Sequence, residues 1–433
     1  GNDFNHESSE TQQLVDSINH YWMSEYKVDG FRFDFTKGFG NNIKGPNDPW
    51  GSLYDADRIV LLKRMADEIW NVNPDAYVIF EHLAENSEEK ELADYGILLW
   101  GNLHYNYGEA SMGWNENGKS DFSWISYQKR NWNEPHVVGY MESHDEERMM
   151  FKNLSLGNSY GNYNIKDSTT AIDRIRLVAA FFFTIPGPKM IWQFGEMGYD
   201  YSINFNGRLG PKPVRWDYYD DWRRKYLYDF FSSLINLKKN YDAFKSDDYT
   251  LSLNGAMKRI NINHVSMSVR IIGNFDVIED EINPNFLHSG KWYEYFTGDS
   301  ITVSNLNEPI ILQAGEYRIY TDIKLDKPDI GTGIENNWFE ENNPDLSYVY
   351  PNPSNEDFNI IINLPELAKT CLKIYNLLGE EIKTIINTSL SSGIHNFKWN
   401  GKNNNGSEVS NGIYFYILRI GKHEEVKKII LSK

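Results

Sequence analysis

"VDGFRFDF", residues 28–35, alternates aromatic rings with charge: Phe31, Phe33 and Phe35 enclose Arg32 and Asp34. Successive side chains of a β-strand point to opposite faces, so Arg32 and Asp34 share one face and the three phenylalanines share the other. The aromatic face suits packing beneath helices, which turns the charged pair toward the interior of a parallel sheet near the strand's C-terminal end. A guanidinium beside Asp34 favours its ionised form, the form a nucleophilic carboxylate needs. A structural ion pair would show the same spacing. A second acid in the same place would decide between the two readings.

Glu81 supplies it, because "YVIFE", residues 77–81, ends an apolar run on a carboxyl group. An acid held against apolar neighbours keeps its proton to higher pH and can give it to a leaving group. "GYMESHDEER", residues 139–148, puts His144 and Asp145 after a third apolar run. Three such strand ends converge on one rim in a closed barrel, where active sites of that architecture lie. One ionised and one protonated carboxyl about 5 Å apart equip a site for retaining glycoside hydrolysis or transfer.

The surrounding pattern fits a parallel α/β fold. Residues 10–26 place Leu14, Ile18 and Tyr21 or Trp22 on one side of a helix, and residues 57–70 do the same with Ile59, Leu62, Met65 and Ile69. Further helices are predicted around 122–132, 169–183 and 221–239, with apolar strands at 96–100 and from 189. From residue 245 short β-rich runs separated by Gly, Asn and Pro predict an antiparallel sandwich. An acidic, Asn-rich stretch with Pro328 and Pro344 reads as a linker. The predicted organisation is therefore a partial barrel at 1–244, a β-domain at 245–322, a linker at 323–346 and a small β-sandwich at 347–433.

Composition excludes some functions. A formal net charge of -18 repels nucleic acid over most of the surface. The single cysteine, Cys371, rules out an internal disulfide and a four-thiolate metal site. No run approaches the roughly 18 apolar residues a membrane-spanning helix needs. Aromatic residues make up 15% of the chain, and planar apolar faces with polar edges suit sugar binding. The opening "GNDFNHESSE" has neither Met nor a leader, as expected of a processed chain or an excised piece.

"VDGFRFDFTKG", "VIFEHLAE" and "GYMESHDEER" resemble, in order and spacing, three conserved blocks of the α-amylase family of glycoside hydrolases, family 13. The resemblance implies a (β/α)8 TIM barrel acting on α-linked glucans such as starch or maltooligosaccharides. It makes Asp34 the nucleophile, Glu81 the general acid/base and Asp145 the stabilising acid. It also implies substrate-binding roles for Arg32, His144 and Lys37. That family has an earlier block, an Asp followed by Asn-His, with no counterpart upstream of Asp34. Barrel strands four to eight are accordingly expected here and strands one to three are expected to be missing. No cofactor is implied for the chemistry. A structural Ca²⁺ of the full-length enzyme would use the missing Asn and a carbonyl near Gly38, so no metal site is assigned.

Trp100, Tyr105, Trp114 and Trp216 are candidate sugar-stacking residues, each equally suited to a core. Glu196 and Asp200 read as a solvated loop rather than a substrate contact, with Arg208 and Arg215 near the same rim. The same acids would serve a glucanotransferase or branching enzyme, and a non-catalytic glucan-binding protein is the third reading. The C-terminal runs "YPNPSNEDFNI", "IYNLLGEEI" and "NGIYFYIL" resemble the sorting domain of proteins exported by the type IX secretion system of Bacteroidetes-like bacteria. That resemblance implies the secretion machinery as a partner and a secreted or outer-surface address. A competing reading makes this unit a carbohydrate-binding module that uses Trp399 and Tyr414.

Overall fold

The computed structural model describes residues 4–42, 45–330, 347–350, 352, 354, 357–364, 368–390, 393–420 and 423–432. The chain divides into two compact units, Gly1–Ile330 and Gly331–Lys433.

In the first unit α1 (Ser9–Glu25) leads into β1 (Gly30–Phe33), followed by α2 (Ala56–Val72), β2 (Tyr77–Phe80), α3 (Asn86–Tyr95), β3 (Leu98–Asn102), α4 (His104–Met112) and β4 (Val137–Tyr140). Then come α5 (Met149–Leu156), a small hairpin of β5 (Ser159–Tyr160) and β6 (Tyr163–Asn164), α6 (Ser168–Thr184), β7 (Lys189–Met190) and α7 (Trp222–Asn240). Strands β1, β2, β3, β4 and β7 form one parallel sheet in chain order. This is an open portion of a TIM barrel, corresponding to strands four to eight. Local chemistry sets the helix limits. The Asp55 carboxylate caps α2 by accepting from the Arg58 amide, and Gly96 and Gly113 end α3 and α4 at φ 119° and 80°.

The predicted stripe of α2 is buried: Ile59, Leu62, Met65 and Ile69 all lie in the core. Helix α1 departs from expectation. Its Leu14, Ile18, Tyr21 and Trp22 face outward, while Asn19 and Met23 are buried and Val15 packs on the core. Arg64 of α2 fastens α1 through Asp16 at 2.8 Å, and that pairing chooses the inward side. The helix predicted at 122–132 is also absent, leaving one 3₁₀ turn at Ser123–Ile125. Arg130 explains this. Its guanidinium binds the Trp124 carbonyl at 2.8 Å and Glu89 at 2.9 Å and lies over the rings of Trp124 and Trp132, so the segment winds around a cation.

The β-domain contains β8 (Tyr249–Ser252), β9 (Met257–Ile262), β10 (Val269–Asn274), β11 (Asp280–Ile282), β12 (Gly290–Glu294), β13 (Ser300–Val303), β14 (Ile310–Leu312) and β15 (Tyr317–Thr321). Six of these make an antiparallel sheet in the order β13-β12-β15-β10-β9-β8, and β11 pairs with β14. Alternation along β10 divides two cores: Ile271 joins the core shared with α6 and α7, and Ile272 packs with Trp292, Leu312 and Tyr320. Gly273 allows close approach to α6, since a Cβ there would lie 2.7 Å from Phe181 and 2.8 Å from Leu177. Residues 323–330 return to the first unit, where Ile330 is buried. The rest of the expected linker, 331–346, lies outside the described residues.

The second unit has a three-stranded sheet of β16 (Ser347–Tyr350), β17 (Phe358–Leu364) and β20 (Gly393–Trp399). It also has a four-stranded sheet, ordered β19-β18-β21-β22, of β18 (Ala368–Tyr375), β19 (Glu381–Leu390), β21 (Gly412–Ile420) and β22 (His423–Leu431). Trp399 is 1% exposed, stacked on Phe358, and Tyr414 is 7% exposed. Both are spent in this core, which removes the basis for a carbohydrate-binding module built on them.

Arg174 fastens the β-domain to the helices. It is fully buried in α6 and donates to the carbonyls of Ala110, Ser111, Phe275 and Asp276. Replacing it with methionine would leave the Ser111 and Asp276 carbonyls dry, each costing about 1–3 kcal/mol, while Ala110 keeps the Gly113 amide and Phe275 the Asn115 side chain. Arg174→Met is expected to lower the first unit's unfolding free energy by about 3 kcal/mol or more, read as a fall in the urea midpoint.

Candidate active site

The C-terminal ends of β1, β2 and β4 bring the three predicted acids to one rim. β1 pairs with β2 in parallel, Arg32 opposite Ile79 and Phe33 opposite Phe80. The strand ends after Phe33, and the chain then turns sharply: Phe35 sits at φ 46°. A left-handed conformation at a bulky residue costs about 1–3 kcal/mol, and such residues cluster at functional sites. Here its backbone N–H donates to Glu81 Oε2 at 3.2 Å.

The Arg32 guanidinium lies between two carboxylates. Nη1 meets Asp34 Oδ1 at 2.7 Å and Nη2 meets Glu81 Oε2 at 2.8 Å. Beneath it the Trp100 ring lies 4.9 Å from the guanidinium carbon, itself packed against Tyr140. The acids hydrogen-bond each other, and their environments differ: the Asp34 side chain is 74% exposed and that of Glu81 15%. Burial raises the Glu81 pKa, and its hydrogen bond to Asp34 raises it further. The bond from Glu81 lowers the Asp34 pKa, Arg32 adds to the effect, and His144 contributes across the rim. The pair therefore holds its proton on Glu81.

On the β4 loop, His144 Nε2 is 3.4 Å from Asp145 Oδ2, and its ring packs beside Trp192. Arg208 reaches in from the loop after β7, donating to the Asp145 carbonyl at 2.7 Å with the Asp145 carboxylate 3.7 Å away. Lys37 is turned from the acids: Nζ donates to Ser52 Oγ at 3.2 Å and the Leu83 carbonyl at 3.3 Å. Trp100 is buried under Arg32, whereas Tyr105 and Trp216 are exposed. Trp114 donates its indole N–H to the Leu156 carbonyl. The reading of 195–200 as a solvated loop needs correction. Asp200 is paired with Arg224 at 2.7 Å, and Glu196 is partly buried with its pKa raised by desolvation.

The residues that brace this rim went unnoticed in the sequence. Thr36, Arg58, His82 and Glu88 are all fully buried and form one chain of polar contacts behind the acids. Thr36 Oγ1 lies 2.9 Å from His82 Nδ1, His82 Nε2 lies 2.8 Å from Glu88 Oε1, and Arg58 forks onto both Glu88 oxygens at 2.7 and 2.6 Å. The available signal was "EHLAENSEE", residues 81–89, with paired acids in the first turn of a helix directly after the candidate acid. Next to Gly38, the Lys37 carbonyl accepts Arg58 Nη1 at 2.6 Å. Among the described residues no group of three His, Cys, Asp or Glu side chains could hold a metal ion. The carbonyl beside Gly38 is thus already satisfied by a guanidinium.

Comparison with known proteins identifies the family. Residues 1–248 match the family described as alpha amylase, catalytic domain, and residues 348–432 match the secretion system C-terminal sorting domain. Among curated relatives, the 1,4-alpha-glucan branching enzyme GlgB of Bacillus cereus (strain B4264) is 25% identical over 229 residues, 51% of this chain and 32% of that protein. The enzyme of the same name from Picrophilus torridus is 27% identical over 247 residues, 52% of this chain and 31% of its own. The chain thus spans about a third of the length of the curated relatives it matches. Among solved structures, the alpha-amylase of Geobacillus thermoleovorans superposes with a TM-score of 0.53 at 15% identity, covering 74% of this chain and 65% of that one. Eubacterium rectale Amy13B gives a TM-score of 0.55 at 14% identity, covering 74% and 65%. Pullulanase from Bacillus acidopullulyticus gives 0.54 at 20% identity, covering 74% and 41%. The sorting domain marks the protein as secreted or displayed on the cell surface. With more than half its length matched to the catalytic domain, this chain belongs to the alpha-amylase family.

Proposed function

We propose that the protein is a retaining glycosidase of α-linked glucans, with Asp34 as nucleophile and Glu81 as general acid/base. The observation that carries this reading is the Asp34–Glu81 pair, joined through Arg32, with the first carboxyl exposed and the second enclosed. In the first step Asp34 attacks the anomeric carbon while Glu81 gives its proton to the departing glycosidic oxygen. A glycosyl ester forms on Asp34 and the glycosidic bond breaks. In the second step Glu81, now ionised, takes a proton from water or an acceptor sugar, which displaces Asp34 and restores the original anomeric configuration. Asp145, with His144 beside it at 3.4 Å, binds sugar hydroxyls at the cleavage subsite in this reading. Arg32 keeps the nucleophile ionised and oriented. Lys37 joins the substrate-binding set only after leaving Ser52 and Leu83.

Transfer to an acceptor sugar is the second reading, favoured by the curated branching enzymes among the relatives. The partner is in either case an α-glucan, with the secretion machinery engaged by the C-terminal unit.

Incubating the full chain with maltoheptaose tests the reading. Shortened oligosaccharides released as the α-anomer would support hydrolysis, and products longer than the substrate or newly α-1,6-linked would identify transfer. Glucan binding without any change in chain length would overturn both. In an active chain, Asp34→Asn is expected to abolish turnover, and Glu81→Gln to lower kcat about 10²–10⁴-fold on an unactivated substrate. The pH profile of kcat/KM should be bell-shaped. Its acid limb belongs to Asp34, below the ordinary Asp range, and its alkaline limb to Glu81, above the ordinary Glu range. Activity is lost as pH falls because Asp34 gains a proton, and as pH rises because Glu81 loses one. In Glu81→Gln the alkaline limb should disappear.

A further inference from the structure

The buried chain Thr36–His82–Glu88–Arg58 makes no contact with the Arg32 guanidinium or the Asp34 carboxylate, yet it ends on the backbone of both acid-bearing loops. Such a set of groups is a costly way to fill a core. Burying ions and hydroxyls brings a desolvation penalty that apolar packing of the same volume would avoid. The direction of the bonds shows what this arrangement achieves.

Glu88 lies in the first turn of α3, where the positive end of the helix favours its charge. Burial opposes its ionisation, but the bonds from His82 and Arg58 prevail, and its pKa is lowered to about 2. A carboxylate accepts only, so His82 must carry its proton on Nε2 and donate it to Glu88. Burial lowers the His82 pKa and keeps the ring neutral, so Nδ1 is an acceptor and takes the Thr36 hydroxyl. The Thr36 hydroxyl, also 3.3 Å from the Glu81 carbonyl, gives its proton to the nearer His82 nitrogen, and the Thr36 amide donates to that same carbonyl at 3.0 Å. Arg58, tied to Glu88, also donates to the carbonyls of Lys37, Gly51 and Leu53, which lie on the loop beyond Asp34. Glu89 stands beside Glu88 and pairs with Arg130 at 2.9 Å; burial raises its pKa to about 7 against the pull of Arg130 and of the Leu83 and Ala84 amides. Glu88 thus holds His82, Arg58 and the Asp55 amide, Glu89 holds Arg130, and Leu83, next to His82, sits at φ 51°.

We propose that Thr36, His82 and Glu88 are positioning residues that act through the Glu81 backbone to keep its carboxyl seated against Asp34. The inference rests on the proposed roles of those two acids. In this arrangement α3 serves as the anchor and His82, in a single tautomer, links it to both acid loops. Loosening the link lets Glu81 move toward water and away from Asp34, the two influences that hold its proton.

The test uses Thr36→Val, which keeps the shape and removes the hydroxyl, with Thr36→Ser as the conservative rescue and Glu88→Gln as an independent break in the chain. Two readouts are taken on the full chain. One is the Glu81 titration followed by carboxyl ¹³C NMR and assigned with Glu81→Gln; the other is kcat and KM on maltoheptaose. In Thr36→Val the Glu81 midpoint is expected to fall by about one pH unit. Its kcat should fall about tenfold to a hundredfold with little change in KM, as for a displaced catalytic group. Glu88→Gln should move both readouts the same way, and Thr36→Ser should restore both. A purely structural role would lower the melting temperature and leave the Glu81 titration and the pH limb in place. That result, or kcat within twofold of the parent in both broken variants, overturns the proposal. If the parent chain does not turn over glucan at all, the proposed function fails, while the Glu81 titration still decides whether the buried chain positions it.

Discussion

One guanidinium organises the rim. Arg32 projects from the end of β1 with a carboxylate on each terminal nitrogen and an indole face beneath it. A cation alone would pull both acids toward ionisation. Two carboxyls in hydrogen-bond contact oppose this, since like charges so close do not both ionise easily. Burial then breaks the tie: the more enclosed of the two, Glu81, keeps the proton. The difference between the acids follows from depth and neighbours, not residue type, and it depends on β1 and β2 lying side by side in parallel register.

The strand register in turn depends on the packing behind it. Helix α2 covers the sheet with its buried apolar stripe, and Arg58, on the same helix, supplies charge to the loops above. Arg174, on α6, does the same for α4 and the β-domain by collecting carbonyls from both. Each buried arginine closes several loop carbonyls at once, which lets short strands carry long, irregular connections without dry backbone groups.

The sequence made the strand ends legible because a strand alternates its side chains regardless of the rest of the molecule. The acids at 34, 81 and 145 could be placed from local pattern and from resemblance. The strands around 30, 78 and 98 and helices α2, α6 and α7 follow from the same periodicities. What stayed hidden depended on partners distant in sequence. The inward side of α1 is set by the Asp16–Arg64 pair and not by its largest apolar residues. The region 122–132 was read as helical because Arg130, whose contacts unwind it, finds Glu89 about forty residues away. The buried chain behind the acids was invisible for the same reason, since a threonine, a histidine, a glutamate and an arginine in loops and helix starts carry no period. Short helices such as α4 and α5 lack enough turns to show one.

The uneven exposure of the two acids has an effect on energetics. Attraction between charges scales inversely with the local dielectric constant, and the Asp34 carboxylate is surrounded largely by water, while that of Glu81 is not. Any sugar ring settling over Asp34 displaces that water and strengthens the pull of the guanidinium on it. The occupant therefore supplies the missing wall of its own reaction chamber.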